Sequence, residues 1–323
     1  MRILVIRFSS LGDVILTTPV LAALRERYPQ AHIAYLVTDI CADAIEGDTH
    51  IDEVIRFDKN RYRGVFGLKT FTRRLSRFDL IIDLHAKLRS RIITGLMRGR
   101  VLRYHKRAWW KALGVHLGLI RYRADAPIVS AYFNALAPLD IPVGREALNF
   151  SYSDADSNRV AAHANAVVLA IGAANATKKW PAVHFARLGA LLEDPVVIIG
   201  GSADAADGDT ICQRIGSRCT NLAGTLSLKE SGALLAAARY VVCNDSVSFH
   251  MARAVGTRAF VIFGPTDPGM FTYGERAVLI YGDEPCAPCS LHGDRQCPKT
   301  HFDCMRKLTP ETVLAAIEGQ VTA

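Results

Sequence analysis

Asp13 is the first acid in the chain and stands where a carboxylate is out of place. The stretch RILVIRFSSLGDVILTTPVLAALRERYP, Arg2 to Pro29, reads as an apolar strand over 3–6, a polar loop with Gly12 and Asp13, and an amphipathic helix over 14–27. Such a loop is the usual seat of a nucleotide phosphate, because a helix N-terminus and free amides attract anions. An acid there would repel a phosphate. Either the loop only turns the chain, or Asp13 does chemistry on something else.

Three further stretches carry groups with chemistry. GAANATKKWP, residues 172–181, follows an apolar run and precedes a helix begun around Pro181. Its Lys178 suits a phosphate as a point charge, in particular one that leaves as an anion, and Trp180 reads as an anchor for the loop. VVCNDSVSFHMARAVGT, residues 241–257, brings Asn244, Asp245 and Ser246 to a helix start, with His250 one turn on. Amides, a hydroxyl and an imidazole can converge there on one anion; Asp245 and Ser246 could also simply cap the helix. In CAPCSLHGDRQCPKTHFDC, Cys286, Cys289, Cys297 and Cys304 form a CxxC with two more cysteines at close spacing. That pattern suits a structural zinc or iron, with His292 or His301 able to replace a ligand. Disulfides, or thiols without metal, are the alternatives.

The elements that must position these groups follow a strand–helix rhythm. Apolar runs at 3–6, 33–37, 53–56 and 80–84 alternate with helical patterns at 14–27, 41–46 and 66–77, and the rhythm restarts with strands at 166–171 and 196–199 and a last one at 259–263. Near-continuous apolar strands between helices predict parallel sheets covered on both faces. The polar stretch around Ser151–Asp156 predicts a boundary, giving domains 1–153 and 154–323, each Rossmann-like and facing the other across a cleft. Ligands of such sheets sit beyond the carboxyl ends of the strands, where every cluster above falls.

The chain has 323 residues, half of them apolar, a length for about two domains. No apolar run approaches the ~18–20 residues of a spanning helix, and Met1 leads straight into a strand, so a cytoplasmic protein is expected. Cys41, Cys212, Cys219 and Cys243 lie scattered, each expected as a reduced, buried thiol. Net charge is +8, but 19 Lys and Arg stand against 3 acids between Arg56 and Arg123, so the rest of the chain is net acidic. A local cationic surface suits nucleic acid, an anionic membrane, a phosphorylated substrate or plain solvation. No nucleic-acid module is recognisable, which leaves no specific nucleic-acid partner. No GxGxxG follows a strand, which disfavours a dinucleotide oxidoreductase.

Taken in order, RFSSLGDVILTTPVLAALRERYP, DLHAKLRSR, KKWP, NDSVSFHMARAVGT and FGPTDP resemble the lipopolysaccharide heptosyltransferases of glycosyltransferase family 9, over essentially the whole chain. The resemblance implies a GT-B fold, with an N-terminal acceptor domain, a C-terminal donor domain and a final helix, over about 309–320, packing back toward the first. It implies inverting transfer of heptose from ADP-heptose to an inner-core sugar hydroxyl without a catalytic metal, with a related nucleotide sugar or a protein acceptor as the alternative. On that basis Asp13 is the general base, Lys178 holds the diphosphate, and Asp245, Ser246, Val247 and His250 complete the leaving-group site. Asp204 falls where relatives meet the ribose and Leu226 where they meet adenine. Relatives carry glycine at the position of Val247, and a β-branched residue tolerates positive φ poorly. Either the turn differs here or the glycine is not needed for its dihedral.

The resemblance also gives the basic region a partner. His85, Lys87, Arg89 and Arg107, with Lys106, Trp109 and Trp110 beside them, suit Kdo-lipid A or a heptosylated inner core at the inner leaflet. The enzyme is then expected as a cytoplasmic protein, peripheral on the inner face of the inner membrane. Cysteine clusters occur in part of the family, some of them binding iron.

Overall fold

The strand Arg2–Ile6 (β1) is buried from Ile3 onward because it lies inside a parallel sheet with elements on both faces. Its neighbours are β2 (His32–Thr38) and β4 (Leu80–Asp83), with β3 (Glu53–Phe57) and β5 (Arg100–Arg103) at the edges, in the order β3-β2-β1-β4-β5. Leu4, Ile6, Phe8, Phe57, Phe71 and Ile81 build one face of its core. The computed structural model describes residues 1–105, 123–144 and 146–321. These form two compact units, one of residues 1–105 and 126–151, the other of 123–125 and 152–321.

The helix predicted over 14–27 is two helices, α1 (Leu11–Ile15) and α2 (Thr18–Arg27). Pro19 is the reason: it has no N–H to give, and its ring would meet the carbonyl of Ile15 four residues back. The chain turns at Leu16–Thr17 instead, and the Thr18 hydroxyl donates to that Ile15 carbonyl at 2.8 Å. The segment predicted as a helix over 41–46 is a 3₁₀ turn, Asp39–Ala44. Helices α3 (Gly64–Thr72), α4 (Leu88–Leu96) and α5 (Ile128–Phe133) complete the first unit.

The second unit begins with α6 (Asp154–Val160), capped by Ser153. It contains the strands β6 (Val167–Ala170), β7 (Val196–Ile199), β8 (Cys219–Asn221), β9 (Tyr240–Asn244), β10 (Ala259–Phe263) and β11 (Ala277–Tyr281), in the order β11-β10-β9-β6-β7-β8. Every recorded pairing is parallel. Strand β11 lies beyond the strand predicted as last; as an edge strand with only Ile280 buried it has a weak signal. Helices α7 (Ala182–Leu191), α8 (Ala205–Ile215), α9 (Leu228–Ala237) and α10 (Val247–Ala254) follow their strands. After the short α11 (Asp303–Arg306), the final helix α12 (Pro310–Val321) buries Val313 and Ile317 in the core of this second unit. Among the described residues no helix is long and apolar enough to cross a membrane.

Cys41 and Cys243 are free and buried. Cys212 and Cys219 are not: they form a disulfide between α8 and β8, and both are half-buried. Gly216 explains the pairing. At φ +87 it reverses the chain directly after the helix, laying the start of β8 beside the helix end.

Candidate active site

Strand β1 lies between β2 and β4, so the loop after Ile6 emerges where the strand order reverses, the position at which such sheets bind ligands. Arg7 organises it. The guanidinium donates through Nη1 to the Leu84 carbonyl at 2.7 Å and through Nε to the Ser9 carbonyl at 2.9 Å, while Nη2 meets Asp13 Oδ2 at 2.7 Å. Ser10 donates to the same oxygen from its amide at 3.0 Å and its hydroxyl at 2.8 Å. Burial alone would raise the Asp13 pKa; the Arg7 charge and the Ser10 hydrogen bonds hold it well below the usual carboxylate range. Among the described residues Oδ1 has only the Tyr132 hydroxyl nearby, at 3.5 Å, and the side chain is 27 % exposed. Asp13 is thus an ionised carboxylate with one oxygen saturated and the other open to accept a proton.

Beyond β4, the fully buried Asp83 shapes the next loop. Its Oδ1 accepts from the amides of His85 and Ala86, and its Oδ2 from Ser90 Oγ at 3.0 Å and Arg103 Nε at 3.1 Å. His85 is buried with its ring edge-on to Phe8, and its Nδ1 has no hydrogen-bond partner among the described residues. Burial, with Arg7 and Lys87 nearby, pushes its pKa down to about 3, so the imidazole is neutral. Lys87 is exposed, and the Arg89 guanidinium lies over the Phe57 ring at 5.8 Å. Lys106, Arg107, Trp109 and Trp110 lie outside the described residues.

In the second unit the order reverses between β6 and β9, and the two lysines of KKWP divide accordingly. Lys178 turns toward β9 and pairs with Asp245 at 2.7 Å, both side chains largely buried. Lys179 turns the other way, toward β7, and pairs with Asp204. Asp204 also accepts the Gly201 amide at 2.8 Å, and Asp245 accepts the Thr266 hydroxyl at 2.7 Å. Asn244 ties the two loops together, receiving the Trp180 amide at 2.9 Å and donating to the Ile171 carbonyl at 2.8 Å. Trp180 is the anchor its loop required, buried with its indole N–H on the Leu308 carbonyl.

The start of α10 has no side-chain cap. Asp245 is engaged by Lys178 and Thr266, and the buried Ser246 hydroxyl has no partner among the described residues. Val247 opens the helix and is absent from the described non-glycine residues of positive φ, so the turn does not require glycine for its dihedral. His250 is buried against Phe271 and Phe249. Half-buried Leu226 lies in the loop between β8 and α9; Gly224 in that loop approaches Ser202 so closely that a Cβ would stand 2.7 Å from its Cα. That contact brings Leu226 into the neighbourhood of the Asp204 loop.

The family model of glycosyltransferase family 9 (heptosyltransferase) matches residues 70–300. This chain belongs to glycosyltransferase family 9. It is a glycosyltransferase of GT-B fold. Lipopolysaccharide heptosyltransferase 1 of Pseudomonas aeruginosa is 28 % identical, with 100 % of this chain and 99 % of the relative covered. The solved glycosyl transferase family 9 protein of Veillonella parvula superposes with TM-score 0.83 at 21 % identity, over 99 % of this chain and 97 % of that one. E. coli heptosyltransferase WaaC, solved with ADP-2-deoxy-2-fluoro heptose, superposes with TM-score 0.74 at 19 % identity, over 99 % of both chains.

One prediction about this family 9 enzyme finds no support. Cys286, Cys289, Cys297 and Cys304 are free thiols, and among the described residues no group of three His, Cys, Asp or Glu side chains is placed to hold an ion. The thiols are nonetheless neighbours, since Cys304 feels the charges of Cys289, Cys286 and Cys297. Cys304 is buried in the second core through α11, and the segment between Cys289 and Cys297 braces the Lys178 loop. Asn175 donates to the His292 carbonyl at 2.8 Å, and Thr177 exchanges hydrogen bonds with the Asp294 backbone. Gly293, at φ +77, permits the approach: a Cβ there would stand 2.6 Å from Lys178 Cγ. Sequence reasoning also missed Arg7, Ser10, Tyr132 and Lys179 as partners of the site acids; an arginine directly after the first apolar strand was the available signal for Arg7.

Proposed function

We propose that this enzyme transfers heptose, with inversion, from ADP-heptose to a sugar hydroxyl of the lipopolysaccharide inner core. The first unit takes the acceptor and the second the donor. Asp13 Oδ1 accepts the proton of the acceptor hydroxyl as its oxygen bonds to the anomeric carbon. The bond from that carbon to the diphosphate breaks, and ADP leaves with the electron pair. Lys178, the unpartnered Ser246 hydroxyl and the first amides of α10 meet the charge on the leaving diphosphate. Asp204 receives the ribose hydroxyls, Leu226 lies against adenine, and His250 supports the phosphate turn through its packing.

The observation that carries this reading is the state of Asp13, ionised, anchored on one oxygen and open on the other. A general base of this kind contributes typically 10²–10⁴-fold. Lys87, Arg89 and Arg107 suit an acceptor such as Kdo-lipid A or its heptosylated form, and His85 supports their loop. The cationic half of the chain suits work at the inner leaflet, as a cytoplasmic enzyme peripheral to the inner membrane.

Calorimetric titration with ADP, GDP and UDP at physiological salt tests the donor. The expected outcome is tight binding of ADP alone, lost in Lys178→Ala and kept in Asp13→Asn. Preference for GDP or UDP would reassign the donor, and no binding of any of them would remove the transferase reading from these residues.

A further inference from the structure

The second lysine of KKWP has no role in the reading above, yet it stands in the donor half beside a site acid. The 3₁₀ turn Ala176–Lys178 ends at Lys179, whose backbone is extended at φ −84 and ψ 121. From there its side chain reaches Asp204, while Lys178 reaches Asp245 on the other side of β6. The Lys179–Asp204 pair is unevenly placed: the lysine side chain is 32 % exposed and the carboxylate 8 %.

Asp204 is walled in. One of its oxygens accepts the Gly201 amide and the other takes Lys179. A Cβ on Gly172 would stand 2.8 Å from its Oδ2, and one on Gly200 would stand 2.8 Å from its own Cβ. Lys179 is the outer member of the pair. An ammonium carries more N–H donors than one carboxylate oxygen uses, and Asp204 is its one side-chain partner among the described residues. The acid therefore fixes the lysine, and the lysine keeps donors for a ligand oxygen.

Position along the sheet edge selects that oxygen. Lys178 with Asp245 lies at the reversal between β6 and β9, Lys179 with Asp204 lies beyond β7, and Leu226 lies beyond β8. A nucleoside diphosphate laid along this edge, diphosphate at the reversal and base at Leu226, sets its ribose against the second pair.

We propose that Lys179 is a specificity-determining residue of the donor site: held by Asp204, its ammonium donates to a ribose hydroxyl oxygen and selects ribose over deoxyribose. The inference rests on the reading above that the donor carries adenosine diphosphate, and it adds the side chain that reads the sugar of that nucleotide.

Calorimetric titration of the wild type and of Lys179→Met with ADP, 2′-deoxy-ADP, 3′-deoxy-ADP and AMP tests it. The wild type should bind at least one deoxy analogue roughly tenfold or more weakly than ADP. Lys179→Met should bind ADP no more than about twofold better than that analogue, with its ratio of ADP to AMP affinity unchanged. That ratio reports on the diphosphate and Lys178, so it separates a contact with ribose from a general disturbance of the loop. The Met variant strands a carboxylate. Lys179→Gln, which is one atom shorter and uncharged but keeps a donor for Asp204, is the second variant, and it should lose discrimination in the same way; melting curves check both folds. The proposal is overturned if the wild type does not discriminate, if the folded variants discriminate as well as wild type, or if the ADP to AMP ratio falls in step. ADP binding with unaltered discrimination sinks this inference alone, whereas no ADP binding by the wild type removes it together with the donor reading.

Discussion

Arg7 and Asp13 form one buried charge pair, and the proposed proton transfer depends on both. The arginine is fixed by two backbone carbonyls, so it cannot follow the carboxylate and acts as a fixed charge on Oδ2. A base whose carboxyl is held low stays ionised into acid, which places the acid limb of the kcat/KM profile below the usual carboxylate range. Arg7→Met removes that charge and leaves the burial that raises the pKa. The acid limb should then move up by roughly 1–3 pH units, with Arg7→Lys falling between; a pH profile of kcat/KM measures it, and an unmoved limb would show that Asp13 is not the titrating base. In the second unit Lys178 and Asp245 are largely buried together. Lys178→Ala should therefore lower thermal stability as well as donor affinity, because it strands a buried carboxylate. Adding Asp245→Asn should restore melting temperature but not ADP binding, a split that calorimetry and a melting curve read directly. Asp13 and Lys178 were legible from motifs within a few residues of each. The pairings were not: Tyr132 and Asp245 lie far from Asp13 and Lys178 along the chain and reach them only through folding, and Arg7 and Ser10, though close to Asp13, carried no motif of their own.

At the scale of elements, Asn244 ties together the two loops that follow β6 and β9, beside the Lys178–Asp245 pair. Asn244 is fully buried and serves both, so Asn244→Ala would leave the Trp180 amide and the Ile171 carbonyl without partners. A loss of about 2–6 kcal/mol is expected in denaturant unfolding, at about 1–3 kcal/mol for each of the two orphaned groups. The loosened Lys178 loop should raise the donor KM more than it lowers kcat. The strand rhythm was plain in the sequence because parallel strands buried on both faces are nearly all apolar, as in β1, β6 and β10. The edge strand β3 was read, but β5, half of it arginine, and β11, with one residue in five buried, escaped. The break between α1 and α2 was written in Pro19, which the amphipathic pattern around it concealed. The cysteine cluster finds no support as a metal site because spacing records proximity along a chain, whereas a metal needs a ligand set around one point; the segment between Cys289 and Cys297 braces the Lys178 loop.

At the scale of the whole molecule, charge divides the labour. The stretch from Arg56 to Arg123 holds 19 Lys and Arg against 3 acids, while the rest of the chain is net acidic. Many of these cations, Lys87 among them, are exposed, so added salt screens them over a Debye length that shrinks from ~10 Å at 0.1 M to ~3 Å at 1 M. Lys178 is only 14 % exposed and is screened far less. Steady-state kinetics at low and high salt should therefore separate the two substrates. KM for an anionic acceptor should rise by roughly tenfold, while KM for the donor should change by less than about twofold. Equal rises would mean that exposed charge governs both substrates and that the buried lysine is not what holds the diphosphate. A salt-independent acceptor KM would remove the cationic stretch from acceptor recognition and leave Asp13 and its open oxygen as the acceptor's principal contact in the first unit.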